Sequence, residues 1–214
     1  MGVDVIIPLG PAEPLPTDLL DQLAGLDVTL SATTPPPASL NTGLNWVSGG
    51  VGRAAQLNRA IAQTDKPWLW IIHADSQLDA GAVGCIQAFC QTTDESCLGY
   101  GALQFNDDGP LAMRLNQWGA NLRSRWWGQP YGDQALCIHR RLWQALGGFS
   151  QHLARGEDLD FVIRARAVGG RLQRLPFTIT TSARRYRTEG WLATTLNHQL
   201  RAHRLVRQAK RWRP

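Results

Sequence analysis

The stretch Trp68-Leu69-Trp70-Ile71-Ile72-His73-Ala74-Asp75-Ser76 constrains this chain more than any other. An apolar run of strand length follows Lys66-Pro67 and ends abruptly in His-x-Asp. Such a run, without polar alternation, reads as a buried strand of the kind found in helix-covered parallel sheets. A strand of this kind delivers the residues after it to the rim of the sheet. In α/β enzymes the chemistry lies there, in the crevice beyond the carboxyl ends of parallel strands. Asp75, with His73 beside it, is therefore the first candidate functional residue.

The flanking sequence supplies the remaining layers. Residues 3–7 are rich in β-branched side chains and stop at Pro8, as a first buried strand would. Pro16-Thr17-Asp18 suits the start of a helix with Leu19, Leu20, Leu23 and Leu26 on its apolar side. Val28-Thr29-Leu30 reads as a short second strand. Residues 31–39, with three consecutive prolines, suit neither a helix nor a central strand, so a loop is expected through Gly43. Trp46-Val47-Ser48 then leads into Gly49-Gly50-Val51-Gly52, and Arg53 opens a helix carrying Ala54, Leu57, Ala60 and Ile61. Free amides at that helix start, together with Arg53, suit a phosphate, although glycine turns before helices also serve purely structural ends.

Further along, residues 80–91 read as a helix, 98–105 as a strand and 111–127 as a helix with Leu111, Leu115, Trp118 and Leu122 at helical spacing. Trp126-Trp127 at its end is assigned to core packing, with sugar stacking on Trp127 as the alternative. A strand at 135–138 and a short helix at 140–146, closed by Gly147-Gly148, precede a helix from Glu157 to Ala167. A strand over 172–179 follows, and 191–212 can form a long basic amphipathic helix. The expected organisation is one α/β domain over 1–190 and a basic C-terminal helix or tail over 191–214.

Hydrophobic residues at 43% and charged residues at 18% suit a folded globular chain rather than disorder. No apolar run approaches the ~20 residues of a transmembrane helix. The N-terminus enters a strand directly without a basic region, so no signal peptide is expected. Cys85, Cys90, Cys97 and Cys137 match neither a zinc nor a disulfide pattern, which suggests reduced structural thiols and a cytoplasmic location. The net charge of +5 is uneven, since residues 184–214 hold nine Lys or Arg against the single acid Glu189. This basic tail suggests contact with phosphate in a substrate or with an anionic membrane at its inner face; a solvated helix face is the plain alternative. No motif for reading DNA or RNA accompanies it, and nucleic acid is not expected as a partner.

Taken in order, Ile6-Ile7-Pro8, the strand ending in His73-Ala74-Asp75, and Gly147-Gly148-Phe149 followed by Gly156-Glu157-Asp158 resemble family 2 glycosyltransferases of the GT-A fold. The segments Gly52-Arg53-Ala54-Ala55-Gln56-Leu57-Asn58, His73-Ala74-Asp75-Ser76, Pro130-Tyr131-Gly132-Asp133-Gln134 and Thr181-Ser182-Ala183-Arg184-Arg185 are similar to a bacterial subgroup with Gly-Arg-Ala-x-Gln-Met-Asn and His-Ala-Asp-Thr motifs. The resemblance implies a GT-A-like, Rossmann-like fold, with a mixed, mostly parallel sheet flanked by helices. It also implies a hexosyltransferase-type, inverting activity that moves a sugar from a nucleotide-sugar donor to an acceptor hydroxyl with the help of Mg²⁺ or Mn²⁺.

Site roles follow from the same resemblance. Asp75 matches the final aspartate of the family's Asp-x-Asp motif and is implied as the metal ligand. His73 stands at the first acidic position and is implied to contact the donor ribose or a metal-bound water; a histidine satisfied at a strand end is the plain alternative. Asp158 matches the aspartate of the Glu-Asp motif and is implied as the general base that removes the acceptor proton, with Glu157 orienting the acceptor or the base. Asp160 lies about 200° around the helix from Asp158 and faces elsewhere. Arg53, Asn58, Arg184 and Arg185 join His73 as candidate donor-binding residues, with membership of the basic tail as the alternative for Arg184 and Arg185. Asp133 is a candidate acceptor-binding residue, with a structural turn aspartate as the alternative, and Trp127 is a candidate acceptor-binding residue through sugar stacking.

The chain also departs from that family. Related enzymes carry an acid at the end of the second strand, where this chain has Ser31-Ala32-Thr33-Thr34, and Asn-Glu after the first strand is replaced by Gly10-Pro11-Ala12-Glu13. Two readings therefore stand: a metal-dependent glycosyltransferase, or a catalytically inactive module of the same fold that binds a nucleotide or a partner.

Overall fold

The computed structural model describes residues 2–11, 13–38, 40, 44–108, 110, 112–183 and 204–207. The chain opens with β1 (Val3–Pro8), α1 (Thr17–Gln22), β2 (Asp27–Ala32) and β3 (Asn45–Ser48). It continues through α2 (Arg53–Ala62), β4 (Trp68–Ile71), β5 (Ser76–Leu78), α3 (Ala82–Thr92) and β6 (Cys97–Phe105). Then come α4 (Met113–Trp126), a 3-10 turn (Gly132–Gln134), β7 (Cys137–His139), α5 (Arg140–Ala145), α6 (Glu157–Ala167) and β8 (Arg171–Thr181).

The strands form one sheet in the order β3-β2-β1-β4-β7-β6-β8-β5. Four of its seven pairings are parallel, and β4–β7, β5–β8 and β6–β7 are antiparallel. Alternate side chains of the central strands enter two separate cores. Val5, Ile7, Trp68 and Trp70 pack with Leu19 and Leu23 of α1 and Ile86 and Phe89 of α3. Ile6, Leu69 and Ile71 pack on the opposite face with Leu57 and Ile61 of α2 and Phe161 and Val162 of α6. Having helices on both faces is why β1, apart from Asp4, and β4 are apolar without alternation. The one polar atom of the Trp70 side chain is satisfied inside the core, its indole donating to the Ala135 carbonyl at 3.2 Å.

Beyond Gly99, which is registered with Cys137 of β7, that side of β6 has no strand neighbour among the described residues. Side-chain amides take its place. Gln117 Oε1 accepts from the Phe105 amide at 3.1 Å, and Asn121 both accepts from the Leu103 amide and donates to the Leu103 carbonyl, at 3.0 and 2.8 Å. Gln134 donates to the Gly101 carbonyl at 3.1 Å. An open strand edge needs such cover, because unpaired backbone groups are costly when buried and sticky when exposed.

This capping overturns the expectation for α4. Its inward face is Met113, Gln117, Ala120, Asn121 and Ser124, and Leu115, Trp118, Trp126 and Trp127 project outward. Core packing of Trp126-Trp127 is therefore corrected: the two are 73% and 58% exposed. The apolar spacing marked a helix but not its buried side, because α4 packs on a strand edge that demands hydrogen bonds rather than on the apolar face of the sheet. The short strand β5 was also invisible in the sequence. Three residues carry little pattern, and its existence depends on antiparallel pairing with the far end of β8.

Among the described residues no helix is long and apolar enough to cross a membrane. Of the C-terminal segment only 204–207 is described, as a helical turn whose Leu205 packs against Leu159 and Ile163 of α6. The expected helix over 191–212 otherwise lies outside the described residues, as do Arg184 and Arg185. All four cysteines are free thiols.

Candidate functional site

β4 runs parallel to β1, in register from Val3 with Trp68 to Ile6 with Ile71, and the Ile72 amide donates to the Ile6 carbonyl at 3.0 Å. The chain then leaves the sheet and turns through Ala74-Asp75, closed by the Ser76 amide on the His73 carbonyl at 3.1 Å. The turn leaves the Asp75 carboxylate exposed and folds the His73 imidazole inward. His73 Nε2 is buried without a hydrogen-bond partner, beside Gly132 and Asp158. Burial, and then the nearby positive charge of Arg53, hold its pKa well below the usual histidine value, so the ring is neutral at neutral pH.

The second contribution comes from the start of α6. Gly156 caps this helix at φ 89°, in the left-handed region that glycine tolerates, and Leu205 fills the space where a side chain would stand. The next residue, Glu157, is only 3% exposed and lies 3.2 Å from Arg53 Nε, the first residue of α2. Burial raises its pKa to about 7, Asp158 adds to the rise, and Arg53 opposes it. Asp158 is partly exposed; one carboxylate oxygen accepts from the Gly132 amide and the other from the Leu159 amide at 2.8 Å. Asp160 points away as expected, bonded to Ser150 at 2.5 Å and to the buried Arg164 at 2.8 Å.

The 3-10 turn supplies the third contribution. Asp133 follows the glycine that anchors Asp158, and burial lifts its pKa to about 6, with Asp158 and Asp75 raising it further against Arg123 and Arg53. Gln134 fixes the turn from within, accepting from Ser124 at 2.5 Å. Ala135 closes it at φ 51°, the one non-glycine residue with positive φ among the described residues. Arg123 stacks over the Tyr131 ring at 3.6 Å and donates to the Gln129 carbonyl at 3.1 Å.

Among the described residues, five buried side-chain polar atoms lack hydrogen-bond partners: Arg53 Nη2, Arg59 Nε, His73 Nε2, Ser76 Oγ and Asp133 Oδ1. Three of them surround the Glu157-Asp158 pair and a fourth adjoins Asp75. Native interiors rarely leave such atoms unpaired, so their concentration in one crevice marks a place prepared for something else to bind.

The structure thus brings together Arg53, His73, Asp75, Asp133, Glu157 and Asp158. Asn58 stands elsewhere: its Oδ1 accepts from the Trp143 indole at 3.1 Å and the Phe149 amide at 2.8 Å, and its Nδ2 donates to the Phe149 carbonyl at 2.8 Å. It is occupied in holding the Gly147-Gly148-Phe149 turn. Trp127 ends α4 with its ring exposed, and its carbonyl accepts from Arg166 at 2.8 Å. At the end of β2, Arg59 of α2 donates to Ser31 Oγ and the Ala32 carbonyl, both at 3.3 Å. Glu13 folds back onto the Gly10 amide at 2.6 Å. Arg59 and Arg123 were not singled out in the sequence, where each is one arginine on a helix and only the fold shows that Arg59 meets the end of β2 and Arg123 the Tyr131 ring.

No group of three or more His, Cys, Asp or Glu side chains among the described residues could hold a metal by itself. A single exposed carboxylate fits a cation that takes its other ligands from a diphosphate and water, the usual habit of Mg²⁺ at nucleotide sites.

No family model matches the chain, and no characterised protein matches it in sequence. Its fold does match solved structures. The 1–349 fragment of Staphylococcus aureus TarS in complex with UDP superposes with a TM-score of 0.64 at 17% identity, covering 85% of this chain and 61% of that one. The same fragment in complex with UDP-GlcNAc gives 0.63 at 17% identity. The mannosyltransferase PcManGT of Pyrobaculum calidifontis, in complex with GDP-Man and Mn²⁺, gives 0.62 at 16% identity, covering 83% of this chain and 56% of that one. The chain therefore has the fold of GT-A glycosyltransferases, a mixed, mostly parallel sheet flanked by helices, and spans about three fifths of the TarS fragment.

Proposed function

We propose that the crevice transfers a sugar from a nucleoside-diphosphate donor to an acceptor hydroxyl. The observation that carries this reading is the set of unpartnered buried groups of Arg53, His73 and Asp133 around an oriented Asp158 carboxylate. The fold neighbours were solved with UDP, UDP-GlcNAc and GDP-Man, which supports a donor of that class.

Asp158 is the base. Two backbone amides fix its carboxylate, and partial exposure leaves lone pairs for the acceptor proton. Positioned proton transfer of this kind contributes about 10²–10⁴-fold. Attack from the side opposite the leaving diphosphate inverts the anomeric carbon. Arg53, steered by Glu157, offers its free Nη2 to the diphosphate, and neutral His73 offers a hydrogen bond to donor or acceptor. Asp133 lies on the acceptor side. Asp75 would hold Mg²⁺ or Mn²⁺, which supplies positive charge against the departing diphosphate.

A second reading, a binding module without turnover, is favoured by Arg59 at the end of β2 in place of the family's acid. The two separate in one experiment. Thermal unfolding is followed with UDP- and GDP-sugars, with and without Mn²⁺, and donor hydrolysis is measured alongside. A transferase gives metal-dependent stabilisation lost in Asp75→Asn, and turnover lost in Asp158→Asn while binding remains. Stabilisation without turnover selects the binding module, and full activity in both variants removes the assignment.

A further inference from the structure

The outward face of α4 is apolar where a surface helix is normally polar. Leu115, Trp118, Leu122 and Trp126 recur three or four residues apart and form one stripe; Leu115, Trp118 and Trp126 are 65%, 66% and 73% exposed. From two-thirds-exposed aromatic side chains the patch is on the order of 400 Å², the upper end of what a monomer leaves uncovered. Arg114 and Arg125, both exposed, flank the stripe on one side, and α4 contains no acidic residue. The helix owes its place in the fold to Gln117 and Asn121, so the exposed tryptophans contribute little to holding it there.

We propose that this face is an interfacial membrane-docking surface that takes anionic lipid headgroups. Tryptophan and leucine beside arginine, without acids, is the composition of helices that lie in the headgroup region, with indoles at the acyl boundary and guanidinium groups on phosphate. Charge selects this occupant over two others. A second copy meeting the first through the same patch would set arginines against arginines. The C-terminal segment of the chain carries nine Lys or Arg against one acid and would meet the same repulsion. An anionic bilayer is complementary to both the helix and that segment. None of Leu115, Trp118, Leu122 and Trp126 is among the residues assigned to transfer.

The test is flotation of the full chain with vesicles of phosphatidylcholine alone and of phosphatidylcholine with phosphatidylglycerol, at low and high salt. The wild-type chain is expected to float with the anionic vesicles and to be released by salt. The combined Leu115→Ser, Trp118→Ser and Trp126→Ser variant is expected to bind roughly tenfold or more weakly, with an unchanged unfolding midpoint because these side chains face solvent. Arg114→Glu with Arg125→Glu is expected to remove most of the salt dependence. Unchanged vesicle binding by the serine variant overturns the proposal in favour of the basic tail alone. Absence of vesicle binding overturns it outright, as does a wild-type dimer that the serine variant converts to monomer, or binding to a single-stranded oligonucleotide without binding to vesicles.

Discussion

Arg53 Nε and Glu157 Oε1 lie 3.2 Å apart and tie the first residue of α2 to the first residue of α6. Two helices from distant parts of the chain are thereby locked at the ends that face the crevice. The pair is uneven, with the arginine side chain one-third exposed and the carboxylate buried. A buried carboxylate left without its partner either protonates or destabilises the fold. Arg53→Ala is expected to cost about 1–2 kcal/mol at pH 8, discounted for the arginine's exposure. At pH 6 the loss should be distinctly smaller, because Glu157, with a pKa of about 7, is then largely neutral. Urea unfolding at the two pH values checks this; an equal loss at both would mean that Arg53 supports the fold through packing alone.

The raised carboxylates fix the sign of a second pH effect. Asp133 has a pKa of about 6 in the fold against an ordinary value of 3.8. Between those values the folded chain holds a proton that the unfolded chain releases. This contribution to stability is fully present below the unfolded pKa and is lost as pH rises through the folded one. Asp133→Asn removes the charge that burial opposes. The variant should be more stable than wild type at pH 8, by on the order of 2 kcal/mol, and should converge with it near pH 4. A variant less stable than wild type at pH 8 would show that the ionised carboxylate has a partner that keeps it charged.

Gly132 offers a sharper probe of the proposed base. A Cβ at this position would lie 2.8 Å from Asp158 Oδ2 and 2.9 Å from His73 Nε2, both ends of side chains that can move. Gly132→Ala is therefore expected to change stability by no more than about 1 kcal/mol. It should nevertheless lower kcat by about tenfold or more, since displacing a positioned base by a fraction of an ångström weakens proton transfer steeply. Unfolding midpoint and kcat measured on one preparation separate the two effects; equal kcat in variant and wild type would detach Asp158 from catalysis.

What the sequence revealed divides along physical lines. β1 and β4 were legible because helices cover both faces of the sheet and leave Asp4, held by the Lys66 amide and Arg140, as the one polar residue of the two strands. The start of α6 was legible because Gly156-Glu157-Asp158 combines a left-handed cap with acids in a first helical turn. The buried side of α4 was not, because it is set by the unpaired edge of β6, which exists only once β7 has left its side. The positions of Arg59 and Arg123 were equally hidden, each depending on which strand end or ring the fold brings beneath the helix. Motif position also said nothing of whether a polar side chain would face the ligand or the protein. Asn58 shares a motif with Arg53, yet five residues on along α2 it meets Trp143 and Phe149 instead of the crevice.

Asn58 accordingly makes a prediction about stability. Its side chain satisfies the Trp143 indole and both backbone groups of Phe149, three partners that Leu of similar volume would leave unpaired. Each partly buried group left without a partner costs about 1–3 kcal/mol, with water relieving some of the loss. Asn58→Leu should therefore destabilise the fold by about 2–4 kcal/mol in urea unfolding. Asn58→Asp keeps the acceptor for Trp143 and the Phe149 amide but sets a carboxylate against the Phe149 carbonyl, and should fall between wild type and the leucine variant. Phe149 stacks on Phe161 of α6 with ring centroids 4.7 Å apart, so loosening the turn reaches the helix that carries Glu157 and Asp158. A structural role predicts that the loss of transfer follows the unfolded fraction, with the donor KM of the folded protein unchanged. A raised KM with the stability of wild type would instead return Asn58 to the donor site.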